Sequence, residues 1–279
     1  MSRLGIIAGG GDLPRAVAQS ARENGRDVFV VSLTGDSSDW TAQFPREEVS
    51  LGEMGKALRA LSASKCTEVL FAGRVGRPRF TELRLDAKGA LVMPRLAAAA
   101  LKGDDALLRG VVDIFEKEGY RVLSVAEAAP GLILGEGAIG RHRPSADAEA
   151  DIAKGFRVIA RMGELDIGQA TAVCEGLVLA VEAAEGTDAM LKRIAELPER
   201  LRGSPGKPRG VLVKAPKPIQ DRKTDLPVIG VETVRNAIGA GLSGIAVEAN
   251  GALVVDRADV VRAADAAGLF ILGIVPDKA

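Results

Sequence analysis

Through the first half of the chain, short apolar runs alternate with stretches whose apolar positions recur every three to four residues. This is the signature of βαβ units and a mostly parallel sheet. Residues 4–8 read as a strand, the glycines 9–11 as a loop, and 14–24 as a helix with Asp12 near its cap, Pro14 in its first turn and Gly25 as its stop. Residues 28–33 form a second strand, 54–62 a helix, and 68–72 a strand opening into a loop over 73–78. Residues 104–118 place Leu107, Leu108, Val111, Val112 and Phe115 on one helical face, and Gly119 ends that helix before a strand over 121–125. The pattern predicts a Rossmann-like parallel-sheet domain over residues 1–133.

Between Pro130 and Pro144 the periodicity is lost and Gly, Arg and Pro accumulate, so residues 134–144 are expected as a linker. The remaining residues, 145–279, are organised differently, as an α/β domain of less common topology. A helix is expected over 146–162, a long apolar strand within 169–182, a loop at 183–186 and a helix from 187 to about 196. After a loop at 198–208, residues 210–214 read as a buried strand, and 215–227 form a loop too long and too charged for an ordinary turn. Strands at 244–248 and 252–255 flank Asn250-Gly251, a hairpin signal, and a helix followed by a strand at 270–275 closes the domain.

Composition narrows the function classes. Of 279 residues 47% are apolar, yet the richest stretch, 91–101, is broken by Pro94 and Arg95 and falls short of the roughly 20 apolar residues that span a bilayer. The N-terminus lacks the apolar core and cleavage site of a secretory signal, so the expected location is the cytoplasm. Basic and acidic residues balance at 37 each and only 3% are aromatic, which argues against a nucleic-acid partner. Cys66 and Cys174 each lie in an apolar segment and read as reduced core thiols. His142 is the only histidine; flanked by Arg141, Arg143 and Pro144, it is poorly placed to be a desolvated general base.

Four segments carry candidate chemistry. Gly9-Gly10-Gly11-Asp12-Leu13-Pro14 joins a strand to a helix, where backbone amides and the helix dipole suit an anionic group. A tight strand-to-helix turn alone would also select these glycines. Arg74 and Arg77 stand on a loop at a strand's carboxyl end and could clamp a phosphate or simply be solvated. In Glu185-Gly186-Thr187-Asp188, Thr187 and Asp188 open a helix: capping explains them, and so does holding a phosphate and a divalent metal. The fourth segment, residues 214–227, contains Lys214, Lys217, Gln220, Asp221, Arg222, Lys223 and Asp225, stiffened by Pro216, Pro218 and Pro227. Cations to neutralise non-bridging oxygens, carboxylates to hold Mg²⁺ or orient water, and a preorganised backbone are what hydrolysis of a phosphoanhydride requires.

With those residues in view, the chain resembles the UDP-2,3-diacylglucosamine pyrophosphatases of lipid A biosynthesis, LpxI type. The likeness runs over essentially the whole chain. It includes the Gly9 to Pro14 turn, Ala72-Gly73-Arg74-Val75, Lys102-Gly103-Asp104-Asp105, Asp166-Ile167-Gly168-Gln169-Ala170, Glu185-Gly186-Thr187-Asp188 and the 214–227 loop. The resemblance implies Mg²⁺-dependent hydrolysis of UDP-2,3-diacylglucosamine to UMP and 2,3-diacylglucosamine 1-phosphate (lipid X). It implies a Rossmann-like N-terminal domain, a C-terminal domain of less familiar topology and a substrate held between them. It also implies an essential aspartate, matched here by Asp225.

On this basis Asp225, Asp221 and Lys214 are the expected catalytic residues, and Asp225, Asp188 and Asp221 the expected Mg²⁺ ligands. The expected substrate-binding residues are Gly10, Gly11, Asp12, Leu13, Arg74, Gln169, Thr187, Asp188 and Lys217. Two acyl chains need an apolar cleft, for which residues 91–101 are one candidate lining, and an exposed apolar rim would bring the protein to the inner membrane as a peripheral visitor. Symmetry preferences among soluble proteins make a homodimer the expected assembly. Two other readings stand beside this one. A dinucleotide-dependent oxidoreductase is disfavoured because Pro14 breaks the glycine fingerprint and no clear acid ends the second strand to hold a ribose. A non-catalytic nucleotide-binding protein is the other, distinguished by the absence of product formation.

Overall fold

A computed structural model describes residues 3–34, 39–76, 82–217 and 226–276. The chain divides into two compact units, Met1–Leu132 and Ile133–Ala279. In the first unit, among the described residues, β1 (Arg3–Ala8), β2 (Val28–Leu33), β3 (Arg46–Val49), β4 (Cys66–Ala72) and β5 (Arg121–Val122) form an all-parallel sheet in the order β3-β2-β1-β4-β5. Every residue of β2 is buried, as expected of a central strand covered on both faces. The helices are α1 (Leu13–Glu23), α2 (Met54–Ala63), α3 (Ala87–Ala100), α4 (Asp104–Lys117) and the short α5 (Val125–Ala128).

Two differences from the sequence reading have identifiable causes. The strand expected over 121–125 stops after two residues, because Ser124 and Glu127 form a capping box that starts α5. Ser124 Oγ accepts from the Glu127 N–H at 3.2 Å, and Glu127 Oε2 accepts from the Ser124 N–H at 2.9 Å. The edge strand β3 was not anticipated, since Arg46-Glu47-Glu48-Val49 shows no apolar alternation and is ordered by parallel pairing with β2.

The second unit carries α6 (Ala146–Glu164), α7 (Gly186–Ala195), α8 (Val231–Gly239) and α9 (Arg257–Ala267). Its strands are β6 (Gly137–Ile139), β7 (Ala170–Cys174), β8 (Leu177–Val181), β9 (Val211–Lys214), β10 (Val228–Ile229), β11 (Gly244–Glu248), β12 (Leu253–Val254) and β13 (Phe270–Ile274). The main sheet runs β6-β13-β11-β9-β7-β8, parallel through β13, β11 and β9 and antiparallel at both ends. Strand alternation splits the core: Leu212 of β9 packs with Met190, Leu191, Ile194 and Val234, whereas Val211 and Val213 pack with Ile152 and Ile159 of α6.

Three expectations are corrected in this unit. Residues 137–139, inside the stretch read as a linker, are a strand held antiparallel to β13 by pairing that no local pattern reveals. The single strand expected within 169–182 is a hairpin turning at Glu175 (φ 49°) and Gly176 (φ 76°). Its turn is locked by the buried Asp151, which accepts from the Glu175 N–H at 2.9 Å and the Gly176 N–H at 2.7 Å. Asn250-Gly251 does turn the chain, with Asn250 at φ 61°, but β11 and β12 do not pair across it; β12 pairs in parallel with β10. Among the described residues, no helix is long and apolar enough to cross a membrane.

Candidate functional site

In the first unit the strand order reverses at β1 and β4, and open parallel sheets take their ligands at such a point, outside the strands' carboxyl ends. Two of the segments singled out from the sequence meet there. Gly10 N–H donates to the Arg74 carbonyl at 2.9 Å and Arg74 N–H donates back to Gly10 at 2.9 Å, stitching the turn after β1 to the loop after β4. Glycine is required for this approach, since a Cβ at Gly9 would stand 2.5 Å from the Arg74 carbonyl oxygen. The guanidinium of Arg74 lies beside exposed Gly11. Asp12 precedes α1 without capping it through its side chain, and its carboxylate lies 3.8 Å from Arg15. Leu13 and Pro14 form the first turn. Gly10, Gly11, Asp12, Leu13 and Arg74 are thus neighbours.

In the second unit the site is built by the order β9-β7-β8. Lys214 ends β9 opposite Ala170, the first residue of β7, and also lies beside Val247 of β11. Gln169, one residue ahead of β7, accepts through its carbonyl from the Ala215 N–H at 3.1 Å, while Glu182, just past β8, donates its N–H to Ala170 at 2.9 Å. The carboxyl ends of β8, β9 and β11 therefore share one sheet edge with Gln169 among them.

Side chains tighten this edge. Glu182 is only 6% exposed; its Oε1 accepts from the Thr187 hydroxyl at 2.8 Å and its Oε2 from the Gln169 N–H at 3.2 Å. Lys214, 4% exposed, donates from Nζ to the Val228 carbonyl at 3.0 Å, tying β9 to β10. Lys217 forms an ion pair with Asp166, which holds a left-handed backbone at φ 55° three residues ahead of Gln169. Asp188, in the first turn of α7, accepts from Asn236 of α8 at 3.2 Å. Glu185 is turned away: a hydrogen bond from its own backbone and its 2.6 Å contact with Arg193 hold its carboxyl below the usual range.

Gln169, Thr187, Lys214 and Lys217 are brought to one edge, with Asp188 following Thr187. Asp221 and Asp225 lie outside the described residues, as does Arg77. Glu182, Asp166 and Asn236 were not assigned a role from the sequence. The acid that ends the run Leu-Val-Leu-Ala-Val-Glu182 was the available signal for the first; Asn236, one polar residue of an amphipathic helix, gave none. His142 contacts the Asp265 carbonyl at 3.2 Å.

Among the described residues, no group of three His, Cys, Asp or Glu side chains is arranged to hold a metal ion. The Asp188 carboxylate, in the first turn of α7, is nevertheless a hard oxygen donor among the residues expected to hold the ion. That chemistry suits Mg²⁺, which is commonly held by one or two carboxylates and keeps several of its waters.

Comparison with known proteins follows these two units. The LpxI N-terminal domain profile matches residues 3–132 and the LpxI C-terminal domain profile residues 135–272. UDP-2,3-diacylglucosamine pyrophosphatase LpxI of Caulobacter vibrioides is 50% identical over 278 residues, spanning 100% of this chain and 99% of that protein. Among solved structures, CobK precorrin-6A reductase is 12% identical with a TM-score of 0.33, covering 100% of this chain and 91% of that one. N5-carboxyaminoimidazole ribonucleotide synthetase from Thermotoga maritima is 12% identical with a TM-score of 0.26, over 66% of this chain and 42% of that one. Likeness at that level does not bear on activity. Both profiles and the full-length relative place the chain in one family: it belongs to the LpxI family.

Proposed function

We propose that this protein hydrolyses the pyrophosphate bond of UDP-2,3-diacylglucosamine in lipid A biosynthesis, consuming one water and releasing UMP and 2,3-diacylglucosamine 1-phosphate (lipid X). The observation that carries the reading is 50% identity over 278 residues to a protein named for that activity. Lys214 and Lys217 neutralise the non-bridging oxygens of the diphosphate, whose negative charge otherwise repels an attacking water. Asp225 orients that water or contributes to the metal site, with Asp188 and Asp221 as the further carboxylates that would hold Mg²⁺. When bound, Mg²⁺ supplies charge stabilisation to the phosphoryl oxygens. In the turn that Gly10 anchors, the backbone amides of Gly11, Asp12 and Leu13 and the guanidinium of Arg74 are offered to an anionic part of the substrate. No covalent intermediate is needed, so the chain requires no activated serine or cysteine.

A peripheral association with the inner membrane belongs to the same proposal. It is supported by Leu91 in α3, 75% exposed, and Leu101 just after it, 88% exposed, since apolar side chains left in water favour a lipid surface.

The test is direct. Purified protein incubated with UDP-2,3-diacylglucosamine and Mg²⁺ is expected to yield UMP and lipid X by mass spectrometry, and EDTA is expected to stop the reaction. Asp225→Ala is expected to lose far more than tenfold in turnover. Retention within about tenfold, only ~1.4 kcal/mol of barrier, removes Asp225 from the chemistry.

A further inference from the structure

Glu182 occupies a position that the hydrolytic scheme leaves unused. Its carboxylate is buried just past β8, and each oxygen is engaged, one by the Thr187 hydroxyl at 2.8 Å and the other by the Gln169 N–H at 3.2 Å. A single side chain thereby joins the Asp166 to Ala170 segment to the opening of α7. The backbone repeats the attachment: a Cβ on Gly168 would stand 2.2 Å from the Glu182 carbonyl oxygen, so only glycine lets the chain pass this close to β8.

The consequence falls on the side chain of Gln169. With its backbone fixed on one side by Glu182 and on the other by Ala215, its Oε1 is buried and finds no donor in the described structure. A buried acceptor without a donor is unfavourable, and such groups in native proteins call for an explanation. A ligand that brings a donor to this oxygen removes the cost on binding. We infer that Glu182 is a positioning residue of the site, fixing Gln169 so that its side-chain oxygen accepts a hydrogen bond from a donor group of the bound nucleotide sugar. The inference rests on the hydrolase reading for the identity of that ligand.

The role depends on hydrogen bonding at residue 182 rather than on negative charge, and this makes it testable. In Glu182→Gln the new side-chain oxygen still accepts from the Gln169 N–H, and the new amide donates to Thr187, whose hydroxyl accepts as readily as it donates. In Glu182→Leu both bonds are lost. The expected result, with UDP-2,3-diacylglucosamine and Mg²⁺, is kcat/KM within about fivefold of wild type for Glu182→Gln but lowered about 30-fold or more for Glu182→Leu and for Gln169→Leu. The double variant is expected to be little worse than either single one, because both remove the same contact.

Glu182→Gln as inactive as Glu182→Leu assigns the carboxylate charge itself to the chemistry and overturns the positioning role. So does Gln169→Leu, or a folded Glu182→Leu, with kcat/KM within about threefold of wild type. If Glu182→Leu does not fold, Gln169→Leu and Glu182→Gln decide the question. A wild-type protein without hydrolytic activity overturns the assigned reaction alone. The inference is then read from calorimetric binding of the same nucleotide sugar in EDTA, which Gln169→Leu is expected to weaken about tenfold and Glu182→Gln to leave unchanged; equal binding by all three proteins overturns it.

Discussion

Lys217 and Asp166 illustrate how single residues reach this site. Asp166 takes a left-handed backbone, which aspartate tolerates better than most side chains, and pairs with Lys217. The lysine stands only 18% exposed, so its ammonium is held in place rather than left to roam. Replacing it in Lys217→Met removes positive charge from the diphosphate and leaves Asp166 without this partner. The expected outcome is a fall in kcat/KM of about tenfold or more, measured with UDP-2,3-diacylglucosamine, while the thermal midpoint changes by only a few degrees. Equal kinetics in the two proteins would remove Lys217 from substrate binding. Lys217 was legible in the sequence as a cation of a charged, proline-stiffened loop, whereas its partner Asp166 was assigned no role there. Glu182 was not legible as a partner of Thr187 and Gln169, since its role exists only once β7 and β8 pair.

At the scale of elements, helix ends carry much of the order. Asp86 caps α3 by accepting from the Gly89 N–H at 2.8 Å, and its other oxygen accepts from the Lys56 N–H of α2 at 2.8 Å, so one carboxylate serves two helices. Burial raises its pKa, but hydrogen bonds from the Gly89, Gly55 and Lys56 backbone, with Arg59 nearby, lower it further, and the net shift is downward. A carboxyl with a lower pKa folded than unfolded stabilises fully above its unfolded value, about 3.9, and loses that contribution as pH falls through the folded one. Asp86→Ala is therefore expected to cost about 1 to 2 kcal/mol at neutral pH, a gap that closes in acid when denaturant unfolding is repeated there.

Arg202 does comparable work in the second unit. Nearly buried, it donates to the carbonyls of Ala195 at 2.7 Å, Leu197 at 2.8 Å, Gly203 at 2.8 Å and Ala240 at 3.3 Å, joining the carboxyl ends of α7 and α8. A lysine lacks the planar fork, so Arg202→Lys is expected to lower stability by about 2 to 3 kcal/mol in denaturant unfolding, and an unchanged midpoint would rule out this clamp. Helices such as α1, α2, α4 and α6 were readable from period and caps. The edge strands β3 and β6 and the β10-β12 pair were not, because each is specified by a strand distant in sequence, and the 175–176 turn was not because Asp151 of α6 holds it.

For the molecule as a whole, each compact unit holds one buried thiol, Cys66 in the first and Cys174 in the second. Burial pushes Cys66 up to about 11 against a partly opposing Arg3, and it raises Cys174 as well, chiefly by the same cause. A thiol whose folded pKa exceeds its unfolded value leaves stability intact below the unfolded value and withdraws it as pH rises towards the folded one. For the first unit that window runs from the ordinary value of 9.0 to about 11. Tyr120, packed against the same core and also shifted upward by burial, with Cys66 and Glu118 adding to it, acts in the same direction. Native protein at pH 8 is accordingly expected to resist a thiol reagent, each cysteine reacting only when its own unit opens, and mass spectrometry assigns the label to one unit or the other. Raising the pH above 9 is expected to accelerate labelling of Cys66 beyond the increase in thiolate of a free cysteine, because the first unit is itself losing stability. Cys66→Ala removes the thiol's share of that loss and leaves the share due to Tyr120. Its stability is therefore expected to fall less steeply than that of the parent protein between pH 9 and 11, and identical slopes would show that Cys66 does not couple protonation to folding.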